Sequence, residues 1–346
     1  MSSNSKTSPL PTSNFLEYHR PRLRVNRKHI PTLTRQSKQC LHNLASYHTP
    51  KLPLPLPRSR CAAVLVALFV GRAGDVYVLL SRRSATLRTY AGDTSLPGGK
   101  VDPGDKSFED TARREAFEEI GLPRDRRKVP LLCILEPFIA SNDLIVTPVV
   151  VLILDLTSRP ILNTAEVTSL FSHPLSSFLD ETPPFPHEPE SLEVPYHTSQ
   201  EWEIEGPQSV SWRIRGHRFL TGREAGGIKP VIGLTAAILI RVAEVAFSRP
   251  PSFELRAPGE PTMVQRLAWA MVTRPVYRRA FEEEGMGVDW DLVRWLANGE
   301  REGEGEGEKG KLTTGIKEGA KGRADTRKNG SWKAWPWIPR TIRSKL

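Results

Sequence analysis

Three glutamates within one helical turn, with glycine on both sides, constrain this chain more than any other feature. Residues 114–122 read Arg-Glu-Ala-Phe-Glu-Glu-Ile-Gly-Leu, and Leu96-Pro97-Gly98-Gly99-Lys100 precedes them. At about 100° per residue, Glu115, Glu118 and Glu119 share one arc of a helix, while Phe108, Ala112, Ala116 and Ile120 lie mostly on the neighbouring arc and can pack on a sheet. The helix is expected over Ser107–Ile120, after a Pro-Gly-Asp turn, with Gly121 closing it and Pro123 beyond as a stop signal. Three carboxylates so close repel one another. That cost makes sense if a hard divalent cation sits there, since Mg²⁺ takes oxygen ligands and bridges to phosphates. Arg114 can hold one carboxylate by a charge-assisted hydrogen bond. Gly98 and Gly99 let backbone approach a ligand closely, and Lys100 adds positive charge there. A merely solvated acidic face is the bland alternative, and the flanking Gly98-Gly99-Lys100 and Gly121-Leu122 argue against it.

Strands surround this helix. Cys61–Val70 and Val76–Ser81 read as a hairpin, with Gly71-Arg72-Ala73-Gly74-Asp75 as its loop. Leu131–Glu136 and Thr147–Asp155 read as a second pair, and Leu234–Phe247 as a second helix. Two strands, a helix, two strands and a helix predict an α/β sandwich of the α+β kind rather than a doubly wound sheet. Residues 181–211, rich in Pro, Glu and His, read as an inserted loop. Residues 251–298 read as a helical extension anchored by Trp269, Trp290 and Trp295, and 299–346 as a disordered Gly/Glu/Lys-rich tail.

The net charge of +10 becomes informative once located. Residues 1–60 hold 11 Lys or Arg against the single acid Glu17, and the remaining 49 − 11 = 38 bases meet 39 − 1 = 38 acids. The basic character belongs to an N-terminal arm, expected to be disordered apart from a short helix around Gln36–Ala45, and the rest of the chain is neutral. Such an arm can touch nucleic acid or anionic lipid, but a solvated Ser- and Pro-rich tail is the simpler reading. The three cysteines lack any C-x-x-C spacing, so neither a disulfide framework nor a zinc site is expected. No run supplies the roughly 18 apolar residues of a membrane span. Pro148 interrupts one candidate, and Lys229, Arg241 and Glu244 interrupt the other.

Gly99 through Leu122 resembles the Nudix box, G-x5-E-x7-R-E-U-x-E-E-x-G-U with U aliphatic. Its C-terminal half fits, with Ala116 at the first U. In the N-terminal half Asp105 stands where glutamate is expected, and eight residues rather than seven separate it from Arg114. Upstream, Leu79-Leu80-Ser81-Arg82-Arg83-Ser84, Arg88, Gly92 and Leu96-Pro97-Gly98-Gly99 are similar to the signature L-L-T-x-R-[SA]-x3-R-x3-G-x3-F-P-G-G of peroxisomal coenzyme A diphosphatases. The resemblance reaches about residue 248, through Leu162–Val167, Trp212–Phe219 and Gly233–Leu239. It implies a Nudix-type α/β/α sandwich with a mixed sheet over residues 61–250.

The resemblance further implies hydrolysis of CoA or acyl-CoA to 3′,5′-ADP and (acyl-)4′-phosphopantetheine with Mg²⁺ or Mn²⁺. Glu115 and Glu119 become metal ligands, and Glu118 a third ligand or the general base; spacing leaves open which glutamate takes the proton. Arg82, Arg83, Arg88, Gly98, Gly99 and Lys100 become the substrate-binding set, with arginine suited to bidentate phosphate contacts. His217 reads as structural. The rivals are a Nudix diphosphatase acting on NADH or ADP-ribose, an RNA-decapping enzyme using the basic arm, and a non-catalytic binding module. Ser344-Lys345-Leu346 is the peroxisomal import tripeptide, which implies an import receptor as partner and the peroxisome as location. A mitochondrial or cytoplasmic location is the alternative.

Overall fold

The structure, a computed structural model, describes residues 32–155, 160–185, 194–224 and 227–299. Its centre is a mixed sheet built on two apolar strands. β1 (Cys61–Val70) pairs in parallel with β7 (Ile145–Leu152), from Cys61 opposite Ile145 to Leu68 opposite Leu152. On its other side β1 pairs antiparallel with β2 (Val76–Arg83) through its C-terminal half and with the short β4 (Gly98–Lys100) through Ala62–Val64. β3 (Thr94–Ser95) and β8 (Val167–Pro174) extend the sheet beyond β2, while β5 (Leu131–Ile134) and β6 (Phe138–Ile139) pair with β7.

Alternation along β1 feeds two separate layers, as a doubly covered strand must. Cys61, Ala63, Leu65 and Ala67 face α2 (Phe108–Ile120), which buries Phe108, Ala112 and Ala116 against them. Ala62, Val66, Leu68 and Val70 face the opposite layer, made by α1 (Arg35–Ser46) and α3 (Gly233–Phe247). Helix, sheet and helix therefore stack as the expected α/β/α sandwich. A second, three-stranded antiparallel sheet, β9 (His197–Glu205), β10 (Ser211–Glu224) and β11 (Gly227–Ile232), packs on α3.

Three expectations are corrected. The ordered domain begins well before Cys61: Ser37, Cys40, Leu41 and Leu44 recur on one face of α1 and are buried in the core with α3. Residues 1–31 of the expected arm lie outside the described residues, as do residues 300–346 with Ser344-Lys345-Leu346. The 181–211 stretch is not loop throughout, because β9 lies inside it; its Glu201, Trp202, Glu203 and Ile204 pair with the apolar–basic alternation of β10. Among the extension helices, α4 (Met263–Thr273), α5 (Pro275–Glu283) and α6 (Trp290–Asn298), Trp269 and Trp290 pack around Tyr277 and Phe281, but Trp295 is 52% exposed. That cluster also takes Leu54 and Ile145, so it leans on the sheet rather than standing apart.

Leu44 is fully buried although it falls in the compositionally basic arm. Leu44→Ala is expected to cost about 2–5 kcal/mol, the range for emptying a core leucine site. A thermal unfolding midpoint unchanged from wild type would show that α1 is not part of the core.

No helix among the described residues is long and apolar enough to cross a membrane.

Candidate active site

The helix α2 is fixed at both ends by its own sequence. The Ser107 hydroxyl accepts the Asp110 N–H at 3.1 Å as an N-cap, and Gly121 at φ +69° closes the C-terminus. Its last carbonyls are then used to anchor a distant segment: Ile161 N–H donates to Ile120 O, and Asn163 N–H to Glu119 O. The same segment ends at Glu166, whose carbonyl accepts from Ser84 N–H at 2.7 Å, just past β2. The end of the glutamate helix, the end of the arginine strand and Glu166 are thereby tied into one corner.

Within that corner Glu119 is buried and Glu115 half-buried, while Glu118 faces outward with its side chain 50% exposed. Burial raises the Glu119 carboxyl to about 8; Arg83 opposes the shift, Glu115 and Glu166 add to it, and a hydrogen bond from the Gly98 N–H opposes it. Burial likewise raises Glu115, against the pull of Arg114. In the sequence Glu166 stands out only as part of the Leu162–Val167 segment of the resemblance, with no site role attached to it.

Arg114 organises the rest. Its guanidinium donates to both carboxylate oxygens of Asp105, at 3.1 and 3.0 Å, to Glu115 Oε1 at 2.9 Å, to Glu118 Oε2 at 3.3 Å and to the Lys100 carbonyl at 3.0 Å. Asp105 also accepts from the Asp102 N–H and the Thr111 hydroxyl, both at 2.9 Å. Burial would raise the Asp105 carboxyl, but these donors outweigh it and hold it below its ordinary value. The aspartate found where the Nudix pattern has glutamate therefore reaches its arginine across the lengthened turn.

The glycines act by proximity. Gly98 sits in β4 against β1, where a Cβ would strike the Ala63 carbonyl and Val64. At Gly99 a Cβ would run into the Glu115 carboxylate. Gly99→Ala is thus expected to displace that carboxylate and to lower turnover by about 10²-fold, the scale of a 1 Å misplacement, with little change in the unfolding midpoint. Near wild-type turnover in Gly99→Ala would show that the close approach is not needed.

Of the expected substrate-binding residues, Arg83 lies beside Glu119, and its Nε is buried without a hydrogen-bond partner among the described residues. Arg82 is half-buried on β2, and its carbonyl accepts from the Thr168 hydroxyl. Arg88 and the Lys100 side chain are exposed. His217 is buried in a stack with His197 and Phe253, where its Nε2 meets the Leu255 carbonyl.

An all-oxygen set fits Mg²⁺ or Mn²⁺, and the space left by Gly99 against Glu115 is where a Cβ would otherwise stand. Among the described residues no three acidic, His or Cys side chains converge into a finished cage.

A family model described as "NUDIX domain" matches residues 59–193. The uncharacterized Nudix hydrolase NudL of Pectobacterium atrosepticum is 34% identical over 197 residues, covering 57% of this chain and 88% of that protein. Nudix hydrolase 22, chloroplastic, of Arabidopsis thaliana is 37% identical over 205 residues, 58% of this chain and 60% of the relative. Peroxisomal coenzyme A diphosphatase 1 of Saccharomyces cerevisiae is 50% identical over 93 residues, 26% of this chain and 27% of the relative. The chain thus spans about three fifths of the length of the Arabidopsis relative.

Proposed function

This chain belongs to the Nudix hydrolase family, enzymes that act on phosphoric anhydrides, and we propose that its substrate is coenzyme A or an acyl-CoA. One observation carries the reading. In support, Arg83 of the Leu79–Gly99 signature acts electrostatically on Glu119, and its buried Nε has no hydrogen-bond partner among the described residues. A guanidinium held there suits a phosphate oxygen, to which it can donate in a bidentate fork. CoA brings more phosphate than a simple diphosphate does, and exposed Arg88 and Lys100 flank the same turn with further cations. The yeast relative's name points to the same substrate class.

Nudix enzymes generally use divalent metal ions. Here Glu115 and Glu119 would hold the cation, Mg²⁺ or Mn²⁺, with Glu118 as a third ligand or as the base. When bound it would polarise the diphosphate and lower the pKa of the attacking water. The chain's own residues do the rest. Arg114 fixes Glu115 in place, Gly98 N–H orients Glu119, and Arg83 receives charge on the phosphate. Glu118, more solvent-facing than the other two, would take a proton from water in the role of base. The products would be 3′,5′-ADP and the corresponding 4′-phosphopantetheine. A peroxisomal location is part of the same proposal, in line with the yeast relative's name.

The test is incubation with CoA, acyl-CoA, NADH and ADP-ribose in Mg²⁺ or Mn²⁺, with products resolved by mass. Formation of 3′,5′-ADP from CoA, abolished by chelator, is expected. Cleavage of NADH or ADP-ribose alone would remove the CoA reading and leave the family intact.

A further inference from the structure

The extension α4–α6 reaches the catalytic turn through one carboxylate. Glu284, the C-cap of α5, accepts two consecutive backbone N–H groups, Arg58 at 2.8 Å through Oε2 and Ser59 at 2.8 Å through Oε1. These open the short helical turn Arg58–Arg60 that leads into β1. Fixed in this way, Arg58 aims its guanidinium at the turn before α2. Its Nη2 donates to Asp102 O at 2.6 Å, Asp105 O at 2.6 Å and Pro103 O at 3.2 Å. The path continues without a gap: the Asp105 carboxylate grips Arg114, and Arg114 grips Glu115 and Glu118.

We propose that Glu284 is a positioning residue of the active site, which sets the metal-binding geometry of Glu115 through Arg58, the 102–105 turn and Arg114. Glu284 lies outside residues 59–193, the span of the family model. The chemistry explains why a carboxylate is used. Two convergent N–H groups need two acceptor oxygens, and a charged acceptor makes the stronger bonds. Three carbonyls gathered on one guanidinium nitrogen also need a donor held from behind, because a long side chain loses rotamer freedom when it is fixed. A second brace from the same extension accompanies the first. Tyr277 donates its hydroxyl to Asp143 O at 2.8 Å, and Arg60 donates to the same carbonyl, also at 2.8 Å.

The inference rests on the metal-binding role proposed for Glu115 and Glu119, and not on the identity of the substrate. It is tested on the full chain by titrating Mn²⁺ and following free ion by electron paramagnetic resonance. Wild type, Glu115→Gln, Glu284→Ala, Arg58→Met and the Glu284→Ala/Arg58→Met double variant are compared, with thermal midpoints measured alongside. Glu284→Ala is expected to weaken Mn²⁺ binding by about tenfold, and the double variant to bind no more weakly than the weaker single, because both lie on one path. Wild-type affinity in Glu284→Ala, or losses that multiply in the double variant, would overturn the proposal. A lowered midpoint with unchanged affinity would do the same, since it marks a purely structural contact. If Glu284→Ala does not fold, Glu284→Gln replaces it. Its single carbonyl serves one of the two N–H groups, so an intermediate affinity supports the path and wild-type affinity refutes it. A wild-type protein with no Mn²⁺ site sensitive to Glu115→Gln would instead fail the metal reading itself, and this inference with it.

Discussion

Glu119→Gln is expected to lower kcat by on the order of 10³-fold while leaving the chain folded. A cation held as a Lewis acid supplies several kcal/mol to the transition state, and each 1.36 kcal/mol is a factor of ten. Gln keeps the volume and one oxygen but not the charge, and the Gly98 N–H that orients this side chain still finds an acceptor. The same variant carries a pH signature. Without metal, the folded chain holds a proton on Glu119 up to about pH 8, against an ordinary value of 4.5. Between those two values the folded state binds more protons than the unfolded one, so stability falls as pH rises through that window. In chelator, Glu119→Gln should therefore gain thermal stability over wild type at pH 8 and lose the advantage near pH 4. Equal midpoints at both pH values would show that Glu119 is not buried as a strained carboxyl, and near wild-type kcat would sink its assignment as ligand.

Arg114→Ala should combine a stability loss with a catalytic one. It strips the cation from the Asp105 carboxylate, which is 7% exposed and keeps only the Asp102 N–H and the Thr111 hydroxyl. Removing one partner of a buried pair costs about 3–5 kcal/mol. It also frees Glu115 and Glu118 from the nitrogen they share, for a further loss of about 10- to 100-fold in kcat, the usual effect of releasing a ligand's support. Arg114→Lys should recover little of either. An ammonium cannot span both Asp105 oxygens and a glutamate at once. Stability and kcat are to be measured on the same preparations. A variant as active as wild type in its folded fraction would show that Arg114 braces the turn without placing Glu115.

The parts of this architecture that could be read from sequence are those whose causes are local. Ser107, Gly121 and the spacing of Phe108, Ala112 and Ala116 define α2 within fourteen residues or so, and the structure ends the helix at the residue expected. β1, β2 and α3 likewise carry their own periodicity. What escaped is set by distant partners. Within residues 35–46 a short helix is legible, but not its place in the core, which depends on the surface that α3 supplies for Leu41 and Leu44. β9 is polar at most positions because none of its side chains is fully buried, so its alternation is faint. Glu166 and Glu284 are ordinary surface acids by composition. Only the fold brings one to Glu119 and the other to Arg58.

Because β1 and β7 run parallel, no hairpin can bring them together. The chain must close a loop containing β2, the arginine turn and α2 before its two central strands can register, and such non-local pairing is slow. The glutamate helix is thus carried inside the loop that has to close. During synthesis, a nascent chain that has not yet released residue 152 lacks Val149 and Val151, the part of the surface under α2 that β7 supplies beside β1. Ion binding should accordingly appear late as the chain emerges, in step with β7 and not with the helix that bears the proposed ligands.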